Sequence, residues 1–331
     1  MADPTDIPQE GLGDAGTRGR PAHALLLHTG GESCKAALQG FLGRAETAGR
    51  VLAVVSPATY GLITTTLGPD ATYEDATTLG RNPARVIPAI RRFVESRPRD
   101  HPVRVITEQW WDQRELAERA ELARHEALAN LAFAGIDVAL VCLYDVRRVR
   151  PEIVADAKRT HPLLACRSCT YLNEEYVDPE ILLRRMEDPL EPPPPTAEAF
   201  TVSPGRLSGL RSTVAERGHM AGLPLDRVED LVLAVNELAT NVVSHGNGEG
   251  VLRIWSEGRW LVCEVADRGR VDDPFIGTRS PAPEGTTGRG LWIVNQLCDL
   301  VELRSSPSGT AVRLRFTAQD GCSADKALFG P

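Results

Sequence analysis

The sequence predicts two α/β domains in series, joined by a stiff spacer, and three observations predict it. Short apolar runs of strand length alternate with helix-patterned runs through the first half of the chain. Four consecutive prolines, Pro192 to Pro195, then interrupt it; they cannot join a helix interior or a central strand and favour an extended conformation. Beyond them the order changes to a long amphipathic helix, a hairpin, a glycine-rich loop, a short helix and a closing strand. At ~100–200 residues per domain, 331 residues suit two such bodies. The expected division is a disordered leader at 1–21, a first domain at 22–185, the spacer at 186–199, a second domain at 200–317 and a fraying tail at 318–331.

Composition narrows the function classes. The chain is 42% hydrophobic and 25% charged, as in globular proteins. A net charge of -8 argues against a broad electrostatic footprint for nucleic acid or anionic lipid. No run approaches the ~20 apolar residues of a membrane span, and residues 1–20 lack the apolar core of a signal peptide. The expectation is a cytoplasmic protein. Seven scattered cysteines do not form a secreted disulfide framework. Cys142, Cys263 and Cys298 stand in apolar runs and read as small buried hydrophobes. Only Cys166 and Cys169 have ligand-like spacing, and the second pair of a structural zinc site is missing.

Taken in order, the first domain offers strands at His23–His28, Val51–Val55, Val103–Thr107 and Val138–Leu143. Helical patterns lie at Ser33–Ala48, Pro83–Glu95 and Gln113–Ala132. This alternation predicts a mostly parallel sheet flanked by helices. Ligands of such sheets bind beyond the carboxyl ends of the strands, here Thr29–Ser33, Ser56–Tyr60, Glu108–Trp111 and Tyr144–Arg147. The loop HTGGESCK lacks the spacing of a phosphate loop and reads as a polar turn and helix cap.

Three stretches, TLGRNPARVIPAIRRF, RVITEQWWDQRELAERAELARHEALANLAF and VCLYDVRRVRPEIVADAKRTHP, together resemble the MEDS sensory domain of actinobacterial and methylotroph regulators. The resemblance implies a RecA/KaiC-like α/β fold without a working phosphate loop, and a sensory role for an unknown small-molecule signal. The matching positions are Glu108, Arg124, Glu126, Asn130, Tyr144, Asp145, His161 and Pro162; each could contact ligand or serve as a buried pair or cap. The chain departs from the pattern at ACRSC and at Gln109-Trp110-Trp111.

The second domain opens on DRVEDLVLAVNELATNVVSH, Asp226 to His245, whose apolar residues recur at helical spacing, with Gly246 and Gly248 as the stop. Glu237 and Asn241 are four apart on one face. The Asn oxygen is a hard metal ligand, and the Glu can orient water or accept a proton. Alone, this pair also fits a solvated helix face. Its companions sharpen it. Asp267 ends a hairpin strand and can accept from an exocyclic amine, with Gly269 allowing close approach of a flat ring. The Gly/Pro/Thr-rich loop Gly277–Thr287 leads into Gly288-Arg289-Gly290, where a helix start can bind phosphate. Ser308-Gly309-Thr310 precedes the last strand.

This order of motifs strongly resembles the GHKL (Bergerat-fold) ATPases, an α/β sandwich of a mixed sheet under helices. Within them it is most similar to the anti-sigma-factor serine kinases, through Glu-x-x-x-Asn-x-x-x-His-Gly. The resemblance implies ATP and Mg2+ as cofactors. Asn241 would ligate Mg2+ and Glu237 would be the catalytic base. Asp267 would read the adenine amine, with Gly269 and Thr310 lining the base pocket. Gly288, Arg289 and Gly290 would cover the phosphates. The partner implied is a sigma factor or an anti-sigma-factor antagonist, bound or serine-phosphorylated in transcription regulation; neither nucleic acid nor membrane is implied, and a homodimer is left open. The D-x-G-x-G box ends in Val271, whose Cβ would crowd a nucleotide, so turnover is left open. The alternative is a non-catalytic module that sequesters its partner in a nucleotide-dependent way. A sensor histidine kinase is disfavoured: His219 is the nearby candidate, and too few residues separate it from Asp226 for a dimerising hairpin.

Overall fold

The computed structural model describes residues 22–42, 50–68, 70–98, 103–108, 114–166, 169–185, 188–245, 248–279 and 289–318. The chain forms two compact units, Met1–Gly80 with Ala89–Leu183, and Arg81–Pro88 with Arg184–Pro331. In chain order the first half contains β1 (Ala22–His28), α1 (Gly31–Leu42), β2 (Val51–Val55), α2 (Pro57–Leu67), β3 (Thr72–Asp75) and α3 (Ala76–Leu79). It continues with α4 (Val86–Glu95), β4 (Val103–Glu108), α5 (Leu116–Ala132), β5 (Val138–Asp145), α6 (Pro151–Thr160), β6 (Leu163–Ala165), β7 (Thr170–Leu172) and α7 (Pro179–Arg185).

The sheet of the first unit has the order β3-β2-β4-β5-β1-β6-β7. Every pairing is parallel except β6 with β7, so the sheet is mixed but mostly parallel. Parallel strands are covered on both faces, which is why β2 and β5 are apolar at nearly every position. Alternation within β1 sorts the faces. Ala24 and Leu26 join Val141 and Leu143 under α1 and α2. Leu25 joins Cys142 and Tyr144 under Leu122 of α5 and Ile153 and Ala157 of α6.

Local signals explain the helix ends. Ser56 caps α2, its side chain accepting from Thr59 N, with Pro57 at the first turn. Glu115 and Glu118 form a reciprocal capping box at α5. The helix expected at Pro83–Glu95 is a 3-10 turn at Pro83–Arg85 followed by α4. The helix expected at Ser33–Ala48 is described to Leu42, and residues 43–49 lie outside the described residues. Cys166 and Cys169 are joined as a disulfide rather than standing as two free ligands, because the antiparallel β6–β7 pairing sets them opposite each other, with Cys166 N donating to Cys169 O at 2.8 Å.

The second half contains β8 (Glu198–Val202), α8 (Leu207–Met220), α9 (Leu225–His245), β9 (Gly250–Glu257), β10 (Trp260–Asp267), α10 (Arg289–Leu297), β11 (Leu300–Ser306) and β12 (Gly309–Thr317). Its sheet has the order β11-β12-β10-β9-β8, and each of these pairs is antiparallel. The mixed sheet expected for this part is thus corrected for the described strands. Consecutive hairpins β9–β10 and β11–β12 force antiparallel pairing.

Alternation along β12 separates the two faces of this sheet. Val312, Leu314 and Phe316 enter one core with Leu210 and Val214 of α8, the α9 stripe, and Leu291 and Val294 of α10. Arg313 and Arg315 take the opposite face, in buried pairs with Glu264 (2.6 Å) and Glu302 (2.8 Å), beside Trp255, Trp260 and Val262. Among the described residues, no helix is long and apolar enough to cross a membrane.

Candidate functional site

The apolar stripe of α9, Val228, Leu231, Ala234, Val235, Leu238, Ala239 and Val242, fixes how the helix is rotated against the sheet. Glu237 and Asn241 then fall beside that stripe, half-buried and one turn apart. The helix ends at His245, and beyond it Gly248 has φ +83° and donates its N–H to Val242 O at 3.3 Å; Gly246 lies outside the described residues.

The first turn of α10 abuts this ridge. A Cβ built on Gly290 would lie 3.1 Å from Glu237 Oε2 and 3.2 Å from Asn241 Nδ2. Opening N–H groups and the positive end of a helix dipole therefore stand next to a carboxylate and a carboxamide. Arg289 is the exposed residue before Gly290. Gly288 and the rest of 280–288 lie outside the described residues, so that part of the expected phosphate cover is not placed.

The second group sits at the end of β10. Asp267 is paired with Gly250 on β9 and with Thr310 on β12. A Cβ on Gly250 would come within 2.8 Å of Val242 Cγ1, on α9 beside Asn241, and 3.4 Å of Asp267 Cβ. That absent side chain lets α9 and the β10 end approach, which brings the two groups to one end of the unit. Gly309, at φ +136°, has no room for a Cβ against the Asp267 carbonyl.

Asp267 Oδ1 accepts the Gly269 N–H. Thr310 Oγ1 donates to Gly269 O at 2.9 Å, and Ser305 Oγ lies 2.9 Å from Thr310 Oγ1. Val271 N donates to Ser305 Oγ at 2.8 Å. The turn after β10 is thus tied to both strands of the β11–β12 hairpin. Asn295 of α10, buried, donates Nδ2 to Gly277 O at 3.0 Å and so holds the start of the glycine-rich loop. Sequence reading did not single out Ser305 or Asn295. The available signal for Ser305 was the turn SSPSGT, which sets it opposite Thr310. Burial pushes the Cys263 thiol up to about 12, and that of Cys298 well up too, which disfavours the thiolate at both.

Of the expected residues, Glu237, Asn241 and Gly290 are brought together, as are Asp267, Gly269 and Thr310. The donors suit magnesium nucleotide: a hard amide oxygen, a carboxylate beside it, and a glycine helix start that leaves their surface uncovered.

At the strand ends of the first unit, the polar residues are largely paired with one another. Glu108 accepts from Ser56 N (2.8 Å), Ser56 Oγ (2.6 Å) and Thr59 Oγ1 (2.8 Å). Asp145 is gripped by Arg147 Nε and Nη2 at 2.9 and 2.6 Å, which holds its carboxyl below the usual range. Gln109–Trp111 lie outside the described residues.

Two segments of the chain match known families. Residues 200–316 match the family described as Histidine kinase-like ATPase domain, and residues 22–162 match MEDS, the MEthanogen/methylotroph, DcmR Sensory domain. The Serine-protein kinase RsbW of Halalkalibacterium halodurans is 28% identical over 141 residues, covering 38% of this chain and 86% of that protein. A crystal structure of RsbU and RsbW domains from Mycobacterium tuberculosis is similar at TM-score 0.29 and 20% identity, over 38% of this chain and 33% of that one. The chain therefore carries a MEDS-type segment at residues 22–162 followed by a histidine kinase-like ATPase segment at residues 200–316.

Proposed function

We propose that residues 200–316 bind ATP with Mg2+ and transfer its terminal phosphoryl group to a seryl hydroxyl of a regulatory protein, under control of the MEDS-type segment. The observation that carries this reading is the approach of Gly290 to Glu237 and Asn241, a helix start set against a carboxylate and a carboxamide. The serine kinase named among the relatives supports it.

In this reading Asn241 Oδ1 would hold the magnesium ion, which would neutralise charge on the phosphates. Glu237 accepts the seryl proton as the hydroxyl oxygen bonds to phosphorus; the bond to the bridging oxygen breaks and ADP leaves. Asp267, oriented by the Gly269 N–H, offers its other oxygen to the adenine amine. Gly290 and Arg289 line the phosphate end, with Gly288 before them. The substrate class is a sigma-factor regulator, either an antagonist protein or the sigma factor itself as binding partner. The setting is cytoplasmic and the sensory ligand is a small molecule.

A second reading, nucleotide-dependent sequestration without transfer, is favoured by Val271 at the last position of the D-x-G-x-G box. The test is to recover the partner by pull-down with and without ATP and Mg2+, then supply ATP labelled at the terminal phosphate. Labelled phosphoserine on the partner supports transfer. Nucleotide-dependent capture without label supports sequestration. Capture indifferent to nucleotide overturns both.

A further inference from the structure

Four buried side chains in the first unit meet at a single point. His23 comes from β1, Cys142 from β5, Glu126 from α5, and His161 from the residue after α6. Their ligand atoms all lie within 4.8 Å of one another. His23 Nε2 is 3.2 Å from both Glu126 Oε2 and Cys142 Sγ, His161 Nε2 is 3.2 Å from the same Oε2, and Sγ is 3.7 Å from it.

Donor accounting shows what this point lacks. Asn130 donates Nδ2 to two carbonyls, Thr160 O at 2.7 Å and Glu126 O at 3.2 Å. Its orientation is therefore fixed, and Oδ1 faces His23 Nδ1 at 3.1 Å. An amide oxygen can only accept, so the His23 proton is on Nδ1. His161 Nδ1 faces Ala157 O at 2.7 Å, and the same reasoning puts its proton on Nδ1. In the singly protonated form each ring then aims its Nε2 lone pair at one carboxylate oxygen, itself an acceptor. His161 Nε2 is buried and has no hydrogen-bond partner. The sulfur already accepts from Thr107 Oγ1 at 3.0 Å, the contact a thiolate favours.

A cation resolves this convergence of lone pairs. Around a tetrahedral ion with nitrogen and oxygen ligands near 2.0–2.2 Å and sulfur near 2.3 Å, ligand atoms sit roughly 3.3–3.6 Å apart, close to the four contacts of 3.2–3.7 Å above. Each imidazole that binds through Nε2 normally donates its other N–H to an oxygen, as both do here. We propose that His23, Glu126, Cys142 and His161 bind one divalent transition-metal ion of the zinc type. With two imidazoles, a thiolate and a carboxylate, the set suits Zn2+ and excludes a hard ion such as Mg2+. All four positions come from buried side chains, so the ion ties α5 and α6 to the sheet instead of offering an open position to substrate. Cys142 is buried in an apolar cluster, as its run predicts, and the proposal adds a ligand role through partners that arrive from three other elements.

The alternative is a proton-filled cluster, with a ring N–H donating from Nε2 to the Glu126 carboxylate and the Cys142 thiol left protonated. Full-length protein is incubated with Zn2+, desalted, and assayed for metal by mass spectrometry beside Cys142→Ser, Glu126→Gln and a Cys166→Ser/Cys169→Ser double variant. The expected result is about one equivalent of zinc in wild type and in the double variant, with at least tenfold less retained by Cys142→Ser. Co2+ replacement in wild type should add a sulfur-to-cobalt charge-transfer band that Cys142→Ser lacks. This spectrum keeps the test decisive if a variant folds poorly. No retained zinc and no cobalt band in wild type, or retention that follows Cys166 and Cys169 instead, overturns the proposal.

Discussion

Ser305 and Thr310 share a hydrogen bond, Oγ to Oγ1 at 2.9 Å, and directly oppose each other on β11 and β12. The proton count fixes its direction. Thr310 spends its single hydroxyl proton on Gly269 O, so Ser305 is the donor to Thr310 and its oxygen accepts the Val271 N–H. The two hydroxyls thus hold the backbone on either side of Arg270. Thr310→Val keeps the shape but leaves the Gly269 carbonyl without its partner. One such bond is worth about 0.5–1.5 kcal/mol. ATP affinity measured by calorimetry should fall by roughly 2- to 10-fold, with Ser305→Ala giving a similar loss. Unchanged affinity in both variants would show that this turn does not shape the nucleotide site.

Asp267→Asn separates the orienting role of this residue from its reading role. The amide oxygen can still accept the Gly269 N–H, as Asp267 Oδ1 does. Its other end becomes a donor, which meets the adenine amine donor to donor. Bonds to a charged acceptor contribute about 1.5–3 kcal/mol, so ATP binding should drop by roughly 10- to 150-fold. Melting temperature without nucleotide should hardly move. A variant that binds ATP as tightly as wild type would remove Asp267 from the base pocket.

Much of this architecture is legible in the sequence, and the omissions share a physical cause. β2 and β5 announce themselves because burial on both faces demands unbroken apolar runs. β3 reads TYED and the last turn of α2 carries three threonines before Leu67; neither has the required pattern, and both are held by neighbours. The Glu237–Asn241 ridge is legible because its spacing is local to one helix. Ser305, Asn295 and the convergence on Glu126 depend on which elements become neighbours, and pairing across a sheet leaves no local trace. Cys142 shows this most clearly, since six apolar neighbours conceal a side chain that faces two histidines and a carboxylate.

The stability of the second unit depends on one close backbone approach. Gly309→Ala should be severe, because φ +136° is strained for any side chain and its Cβ would strike the Asp267 carbonyl. Backbone strain alone costs about 1–3 kcal/mol, before the clash is added. Gly258→Ala is the comparison: φ is +56°, nothing lies near its Cβ, and the cost should be about 1–2 kcal/mol. Denaturant titrations of the two variants check the order. Equal losses would mean that the Gly309 contact relaxes freely.

On the opposite face, Glu264 and Arg313 form a pair at 2.6 Å with both side chains buried. Glu264→Ala leaves a guanidinium in the interior facing Trp255, with Glu191 O as a remaining acceptor. Breaking one side of a buried pair costs about 3–5 kcal/mol. The double variant Glu264→Leu/Arg313→Leu should recover most of that loss in the same titration. A single variant as stable as wild type would show that water reaches the pair.

The ridge itself gives the sharpest division between binding and chemistry. Asn241→Ala removes the amide oxygen, so ATP affinity should fall in the presence of Mg2+ and change little in excess chelator. Glu237→Gln retains the shape and a hydrogen-bonding oxygen but cannot take a proton. ATP binding should persist while phosphoryl transfer falls by roughly 100- to 10,000-fold. Gly290→Val adds bulk where even a Cβ comes within 3.1 Å of Glu237 and 3.2 Å of Asn241. The neighbours are side-chain ends that can turn away, so folding should survive while nucleotide affinity is lost. The competing explanation is a half-buried polar ridge that merely solvates α9. It predicts unchanged ATP binding in all three variants, and that outcome would remove the site. A Glu237→Gln protein that still transfers phosphate at the wild-type rate, with Asn241→Ala impaired, would keep the metal position and exclude Glu237 as the base.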